Sequence, residues 1–281
     1  MSEYFLQTEK WPRTLPDSKR VLLQGIVRKL STRPDLLGLA IGGSFVSDQM
    51  DDYSDLDLKV VVDEREWQAV SRARRHIAAS VGPLLCAFTA EHIGVPQMLI
   101  CLYGDMPTHV DSNFMIIGQF TVRSEDPVIL WDRNGTLRAA LSTSKASPTK
   151  LDWQWIEDRF WTWIQYVATK VGRGELFEAI RFLSFLQEKV LGPIAIELSG
   201  GKSYGVRHFE QIAATYGGQM RTTVASYDRK EIAKALLGVV EVYKSFRQNR
   251  ALETLRMDAK TEEVVMRYLW DVLEQVGRAC T

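Results

Sequence analysis

The sequence predicts an α+β protein, with an N-terminal mixed β-sheet flanked by helices followed by a C-terminal helical bundle domain. Short apolar runs separated by glycine, proline and polar residues occupy the first half of the chain, as is typical of strands. In the second half, apolar residues recur at helical spacing instead. A polar stretch over 142–150 separates the two patterns. We therefore expect a catalytic domain over 1–141, a linker over 142–150 and a helical domain over 151–281.

The composition restricts the classes of function. Thirty-five basic and thirty-five acidic residues cancel, so a stable nucleic-acid partner has no global electrostatic support. Three cysteines without a CxxC spacing indicate neither a disulfide framework nor a zinc site. No apolar run is long enough for a membrane span, and the N-terminal residues lack the pattern of a signal peptide. These observations predict a cytoplasmic protein without a membrane partner.

The first elements predicted along the chain surround a glycine pair. A helix is expected from the Pro16-Asp17-Ser18 start to Ser31, because apolar residues recur there at helical spacing. Leu36–Ile41 is expected to be a short buried strand that ends at Gly42-Gly43. A helical turn from Ser44 and an acidic loop lead into a second strand that ends at Val62.

The rest of the first half alternates between one helix and several strands. Asp63 is placed to cap a helix that ends before Gly82-Pro83. Further strands with antiparallel pairing are predicted over 84–88, 97–103 and 109–117, and one more short strand over 127–131. Together with the two strands around the glycine pair, they would form one sheet.

Asp55 and Asp57 at the second strand are candidate metal ligands. Side chains alternate along a strand, so these two carboxylates share one face while Leu56 and Leu58 point into the core. Two acids so close together repel each other unless a cation lies between them. Mg²⁺ suits such oxygen ligands, and it completes its shell with substrate phosphates.

Gly42, Gly43 and Ser44 are candidate phosphate-binding residues. Glycines at the end of a strand let the backbone approach a ligand closely, and amides in the following turn can point at phosphate oxygens. The Ser44 hydroxyl would add another donor.

Asp111 lies in the interior of an apolar strand, where an acid is costly unless it is solvated, paired or bound to a metal. It is either a third acid of the site or a surface aspartate on an edge strand. His109 shares its face and is either a structural histidine or a residue that contacts the acceptor.

At these residues the chain resembles the polymerase-beta-like nucleotidyltransferase superfamily. That superfamily combines an apolar strand, a Gly-Gly or Gly-Ser pair, a spacer and Asp-x-Asp on the next strand. More narrowly, the chain looks like the antibiotic nucleotidyltransferases that modify lincosamides or aminoglycosides, on three segments: DYSDLD at 52–57, WDRNG at 131–135 and GRGELFEA at 172–179.

The resemblance implies a nucleotidyltransferase fold and a defined reaction. Two Mg²⁺ ions held by Asp55 and Asp57, with Asp111 as the third acid, would promote transfer of a nucleoside monophosphate from a nucleoside triphosphate, with ATP the expected donor. The acceptor would be a hydroxyl group of a small molecule, pyrophosphate would be released, and the biological role would be antibiotic resistance. A homodimer is also implied.

The helical half contains further candidate site residues, whose motifs are less specific. Glu175 lies in the first turn of a predicted helix, where the helix dipole explains it, but the resemblance implies that it binds the acceptor or serves as its base. Arg173 and Lys202 are candidates for binding nucleotide phosphates. A P-loop at Gly200-Gly201-Lys202-Ser203 is rejected, because the first glycine of that motif would fall on Ile196 and the segment joins helices.

Two other functions remain open at this stage. The protein could nucleotidylylate a protein or an RNA, or it could be a non-catalytic nucleotide-binding module that kept the fold. Retention of all three candidate acids argues against the second of these.

Overall fold

A computed structural model describes residues 11–148, 150–202, 205–249 and 255–278. The first ten residues, Ser203 of the rejected P-loop and Cys280 lie outside the described residues. The chain divides into two compact units, residues 1–149 and residues 150–281.

In its described residues, the first unit combines six strands with four α-helices. In chain order its elements are α1 (Asp17–Ser31), β1 (Leu36–Ile41), β2 (Leu56–Val62), α2 (Trp67–Ala79), β3 (Leu84–Ala90), β4 (Val95–Tyr103), β5 (Thr108–Ile116), α3 (Ile117–Phe120), β6 (Val128–Asp132) and α4 (Thr136–Ser142). The predicted strands and the two longer helices are confirmed to within a few residues at their ends.

The six strands form one mixed sheet in the order β3-β4-β5-β2-β1-β6. β2 and β5 at its centre are parallel, and the other neighbours are antiparallel. The pairing of β2 with β5 places Asp57 directly opposite Asp111. Two residues that are far apart in the sequence therefore become neighbours across one strand pair.

The two faces of the sheet differ in what they bury. On one face the larger core of the unit includes Leu56, Leu58, Val60 and Val62 from β2, as the alternation predicts. On the other face, Val61 of β2 lies in a smaller apolar cluster with residues from β5, α3 and α4. Because that second cluster is small, it does not cover the earlier residues of β2 and β5 on this face. Polar side chains can therefore occupy those positions.

The short helices α3 and α4 were not predicted from the sequence. α3 spans four residues and α4 spans seven, so neither contains enough turns to show helical periodicity. Leu137 and Ala140 of α4 are buried in the smaller apolar cluster. Tertiary packing rather than local pattern therefore accounts for α4.

In its described residues, all labelled elements of the second unit are helices. They are α5 (Trp153–Arg173), α6 (Leu176–Leu186), α7 (Gly192–Leu198), α8 (Phe209–Ile212), α9 (Gly217–Arg221), α10 (Arg229–Asn249) and α11 (Ala259–Arg278), with a π-helical segment Gln187–Leu191 before α7. The predicted α+β class, with a sheet unit followed by a helical unit, is confirmed.

Two tryptophans of α5 have different environments. Trp161 is 2% exposed and belongs to the core of the helical unit. Trp155 is half exposed and contacts the Trp163 ring. Among the described residues, no helix has the length and apolar character needed to cross a membrane.

Candidate functional site

Three carboxylates meet on the polar face of the sheet. Asp55, Asp57 and Asp111 are each partly buried, and one carboxylate oxygen from each lies within 4.8 Å of the other two. Asp57 and Asp111 are register partners in the parallel pair β2 and β5, while Asp55 precedes Asp57 by two residues and so lies on the same side. The structure thus brings together the three acids singled out in the sequence.

The loop that leads into Asp55 is fixed by hydrogen bonds. Asp48 accepts hydrogen bonds from the backbone N–H and the hydroxyl of Thr14, at 3.2 and 3.0 Å. Lys19 is 5% exposed, and its ammonium group donates to the carbonyl of Asp52 at 2.6 Å. Asp51 accepts from the Ser54 hydroxyl, which lowers the pKa of this carboxyl group. These contacts determine where the chain enters β2, and therefore where Asp55 lies.

His109 contacts one of the three acids. Its Nε2 lies 2.7 Å from Oδ1 of Asp111, and both side chains leave the same face of β5. His109 was predicted to be either a structural histidine or a residue that contacts the acceptor. The contact makes it a direct neighbour of the acidic cluster.

The Gly42-Gly43 turn lies against Asp57. The N–H of Gly42 donates to the Asp57 carbonyl at 3.0 Å. Gly43 has φ of +63°, and a Cβ atom at this position would collide with the Asp57 carboxylate. Glycine is therefore required at residue 43 both for its backbone conformation and for the close approach of a metal-ligand candidate.

Sequence analysis missed the residues that surround this turn on its other side. The Gly43 N–H, expected to face phosphate, donates to Oε1 of Glu125 at 3.0 Å. Lys59 and Glu125 line a cavity of about 520 Å³ beside the turn, together with Gln97, Asn113, Gln119 and Ser124. Lys59 was detectable, because a charged residue in LDLKVVV shares the face of Asp57. Glu125 was not detectable, because it lies in a loop that is distant from the glycine turn in the sequence.

Glu175 forms ion pairs within the helical unit. It is the residue before α6, its carboxylate accepts from the Lys170 ammonium at 2.5 Å, and Arg173 lies 3.6 Å away. The hydrogen bond from Lys170, aided by the charges of Lys170 and Arg173, lowers the pKa of Glu175. A carboxylate with a lowered pKa is a weaker proton acceptor, so the contacts explain Glu175 without a catalytic role.

Lys202 follows the end of a helix and is exposed. Gly200 has φ of +77°, and the N–H groups of Gly200 and Gly201 bond back to carbonyls of α7 in a helix C-terminal turn. No strand precedes this segment, so its geometry differs from that of a P-loop. The roles of Lys202 and Arg173 in phosphate binding stay predictions.

The donor set fits a hard divalent cation. All three candidate ligands are carboxylates, and their oxygens lie close enough to bind a common ion. Oxygen-only sites of this kind suit Mg²⁺, which also recruits phosphate oxygens. Residues Asp55, Asp57 and Asp111 would hold the metal.

Comparisons with known proteins add a coarse likeness to a solved structure. Neither protein-family models nor curated protein sequences match the chain. A solved structure, an aminoglycoside 6-adenyltransferase from Bacillus subtilis, is similar at 12% sequence identity and a TM-score of 0.40. The similarity covers 89% of this chain and 96% of that chain.

Proposed function

We propose that this protein is a metal-dependent nucleotidyltransferase that transfers a nucleoside monophosphate to a hydroxyl group of a small molecule. The observation that carries the proposal is the meeting of Asp55, Asp57 and Asp111 beside the Gly43 turn. A cluster of carboxylates next to a backbone amide turn suits a substrate that brings both phosphates and a divalent metal. The motifs shared with nucleotidyltransferases support the same reaction.

In the proposed reaction, the acceptor oxygen attacks the α-phosphorus of the donor and the bond to the pyrophosphate leaving group breaks. Bound Mg²⁺ supplies neutralisation of the phosphate charge. Asp111 accepts or orients the proton of the attacking hydroxyl, and His109 holds the Asp111 carboxylate in position through its 2.7 Å contact. Glu175 is less suited to this role because Lys170 and Arg173 already pair with it.

We propose ATP as the donor and a lincosamide or an aminoglycoside as the acceptor, with the helical unit as the acceptor-binding domain. The balanced charge of the chain favours a small molecule over a nucleic-acid polymer. Product masses from incubations with ATP, GTP, CTP or UTP and a panel of both antibiotic classes would identify donor and acceptor.

Asp57→Asn tests the catalytic proposal. This change removes one charged ligand oxygen while keeping the size of the side chain. Outer-shell changes at metal sites already cost roughly 10-fold to 100-fold. We therefore expect the Mg²⁺-dependent release of pyrophosphate, measured with labelled ATP and an accepted substrate, to fall by at least about 100-fold.

Asp105→Asn is the matched control, because Asp105 is an exposed aspartate in the turn between β4 and β5. It should leave the rate unchanged, and circular dichroism should show that both variants are folded. Absence of pyrophosphate release from the parent protein with every donor and acceptor tested, or an undiminished rate in Asp57→Asn, would exclude the proposed reaction.

A further inference from the structure

Lys59 is a cation with no side-chain partner among the described residues. It lies in the interior of β2, two residues after Asp57 and on the same face, and it is partly buried. A partly buried charge is costly unless it is paired. The location of Lys59 in the wall of a cavity therefore indicates a ligand with an anionic group.

The position of Lys59 next to the glycine turn indicates where that anionic group would bind. The point where a Cβ atom of Gly42 would lie is 3.8 Å from Nζ of Lys59 and 3.2 Å from Oε1 of Glu125. The same Glu125 oxygen accepts the Gly43 N–H. The Lys59 ammonium and the Gly43 N–H thus both lie at the Gly42-Gly43 turn, where a Glu125 carboxylate oxygen already accepts the N–H hydrogen bond.

The rest of the turn offers no positive charge. Residues 42–58 contain no lysine or arginine, whereas they contain five aspartates, including two of the metal-ligand candidates. Lys19, which approaches this loop, donates to the Asp52 carbonyl. Arg123, in the same cavity wall, pairs with Asp126 and with Ser144. Lys59 is therefore the basic group best placed to balance a phosphate chain at the turn.

One more polar group in the cavity has an unmet hydrogen bond. Asn113 is the register partner of Lys59 across β2 and β5, and its Oδ1 is buried without a hydrogen-bond partner in the described part of the chain. Buried polar atoms are almost always satisfied in the functional state of a protein. This atom gives a second reason to expect a polar ligand in the cavity.

We propose that Lys59 binds the terminal phosphates of the donor, and that Glu125 occupies the Gly43 N–H until a phosphate oxygen displaces it. This inference rests on the proposed function for the identity of the ligand. A carboxylate and a phosphate oxygen accept the same backbone hydrogen bond, and both cannot use it at once. The negative charge of Glu125 therefore opposes phosphate binding, whereas Lys59 favours it.

Binding measurements with inorganic tripolyphosphate, ATP and adenosine test the two residues separately. Isothermal titration calorimetry on the full chain, with and without Mg²⁺, would compare the parent with Lys59→Met, Lys59→Arg and Glu125→Gln. We expect Lys59→Met to weaken binding of tripolyphosphate and of ATP by roughly 10-fold to 100-fold, the range for loss of a charged hydrogen bond. Adenosine binding should not change, and Lys59→Arg should retain most of the affinity.

Glu125→Gln is expected to act in the opposite direction. It keeps an acceptor for the Gly43 N–H but removes the charge, so phosphate competes more easily and tripolyphosphate should bind several-fold more tightly. Lys29→Met on α1 and Glu66→Gln before α2 are exposed controls that should change neither affinity. Unfolding curves would verify that each variant is folded.

The outcomes separate this inference from the proposed function. Unchanged tripolyphosphate affinity in Lys59→Met, or weaker binding in Glu125→Gln, would overturn the inference even if nucleotidyl transfer is observed. Lys59-dependent binding of tripolyphosphate in a protein that transfers no nucleotide would support the phosphate site and contradict the reaction.

Discussion

At the scale of single residues, Gly43 links the two halves of the candidate site. Its positive φ sends the turn past Asp57, and the lack of a side chain leaves space for the carboxylate. Its N–H is the group that a phosphate or Glu125 would use. Gly43 thus affects both where the Asp57 carboxylate lies and whether its own N–H is free to bind an anion.

Gly43→Ala is expected to damage both stability and activity. The positive φ strains any residue with a Cβ atom, and the added methyl group collides with Asp57. We expect a loss of about 1–3 kcal/mol in the free energy of unfolding, measured by urea denaturation. Displacement of Asp57 should also lower the rate on the order of 100-fold, because small shifts of positioning groups have large effects.

Gly94→Ala is the matched control for this change. Gly94 also has a positive φ, of +77°, but nothing lies within 4 Å of the position of its Cβ atom. It should lose about 1–2 kcal/mol of stability from backbone strain alone and keep full activity. Equal activity losses in both variants would show that strain, and not the contact with Asp57, is responsible.

At the scale of elements, β2 shows how one strand serves both the core and the site. Leu56 and Leu58 enter the main core, while Asp57 and Lys59 face the polar side. Period-two alternation makes this division visible in the sequence. The alternation also explains why a shift of one residue in register would destroy the core and the candidate site together.

The sequence was informative where the chemistry is local and less so where it depends on distant contacts. Strand β1 and the Asp55-Leu56-Asp57 pattern were predictable, because alternation and charge repulsion act within a few residues. The pairing of Asp57 with Asp111 depends on strand order, which the sequence pattern alone does not determine. The Glu125 contact with Gly43 depends on a loop, and nothing near Glu125 indicates it.

In the helical unit, α5 contains a buried carboxylate with several partners. Glu157 is 4% exposed and accepts hydrogen bonds from the Tyr243 hydroxyl at 2.5 Å, from Arg247 at 3.0 Å and from the Trp161 indole at 3.3 Å. Tyr243 and Arg247 belong to α10, so this network connects two helices. Burial and the contact with Glu157 raise the pKa of Tyr243.

Glu157→Ala is expected to destabilise the protein strongly, because it leaves the Tyr243 hydroxyl and part of the Arg247 charge buried without their partner. Breaking a buried pair costs about 3 kcal/mol or more, and urea denaturation would measure the change. Glu263→Ala, at an exposed position on α11, should change stability by no more than about 0.5 kcal/mol. A loss below 1 kcal/mol for Glu157→Ala would mean that the network contributes little.

At the scale of the whole molecule, the proposed ligands should couple to unfolding. A ligand that binds only the folded chain adds about 2.7 kcal/mol of stability at 100 times its dissociation constant. In proteins of this size, each kcal/mol corresponds to a shift of about 2–4 °C in the thermal transition. Mg²⁺ together with a non-hydrolysable ATP analogue should therefore raise the transition by about 5 °C or more.

Asp57→Asn should lose most of this shift, because the metal and the phosphates that it recruits depend on the carboxylate cluster. Asp105→Asn should keep the full shift. Differential scanning fluorimetry with Mg²⁺ alone, the analogue alone and both together would show whether the two ligands bind cooperatively, as a metal shared between carboxylates and phosphates requires. An equal shift in Asp57→Asn and the parent would place nucleotide binding away from the three carboxylates, and an additive response to the two ligands would contradict a shared metal.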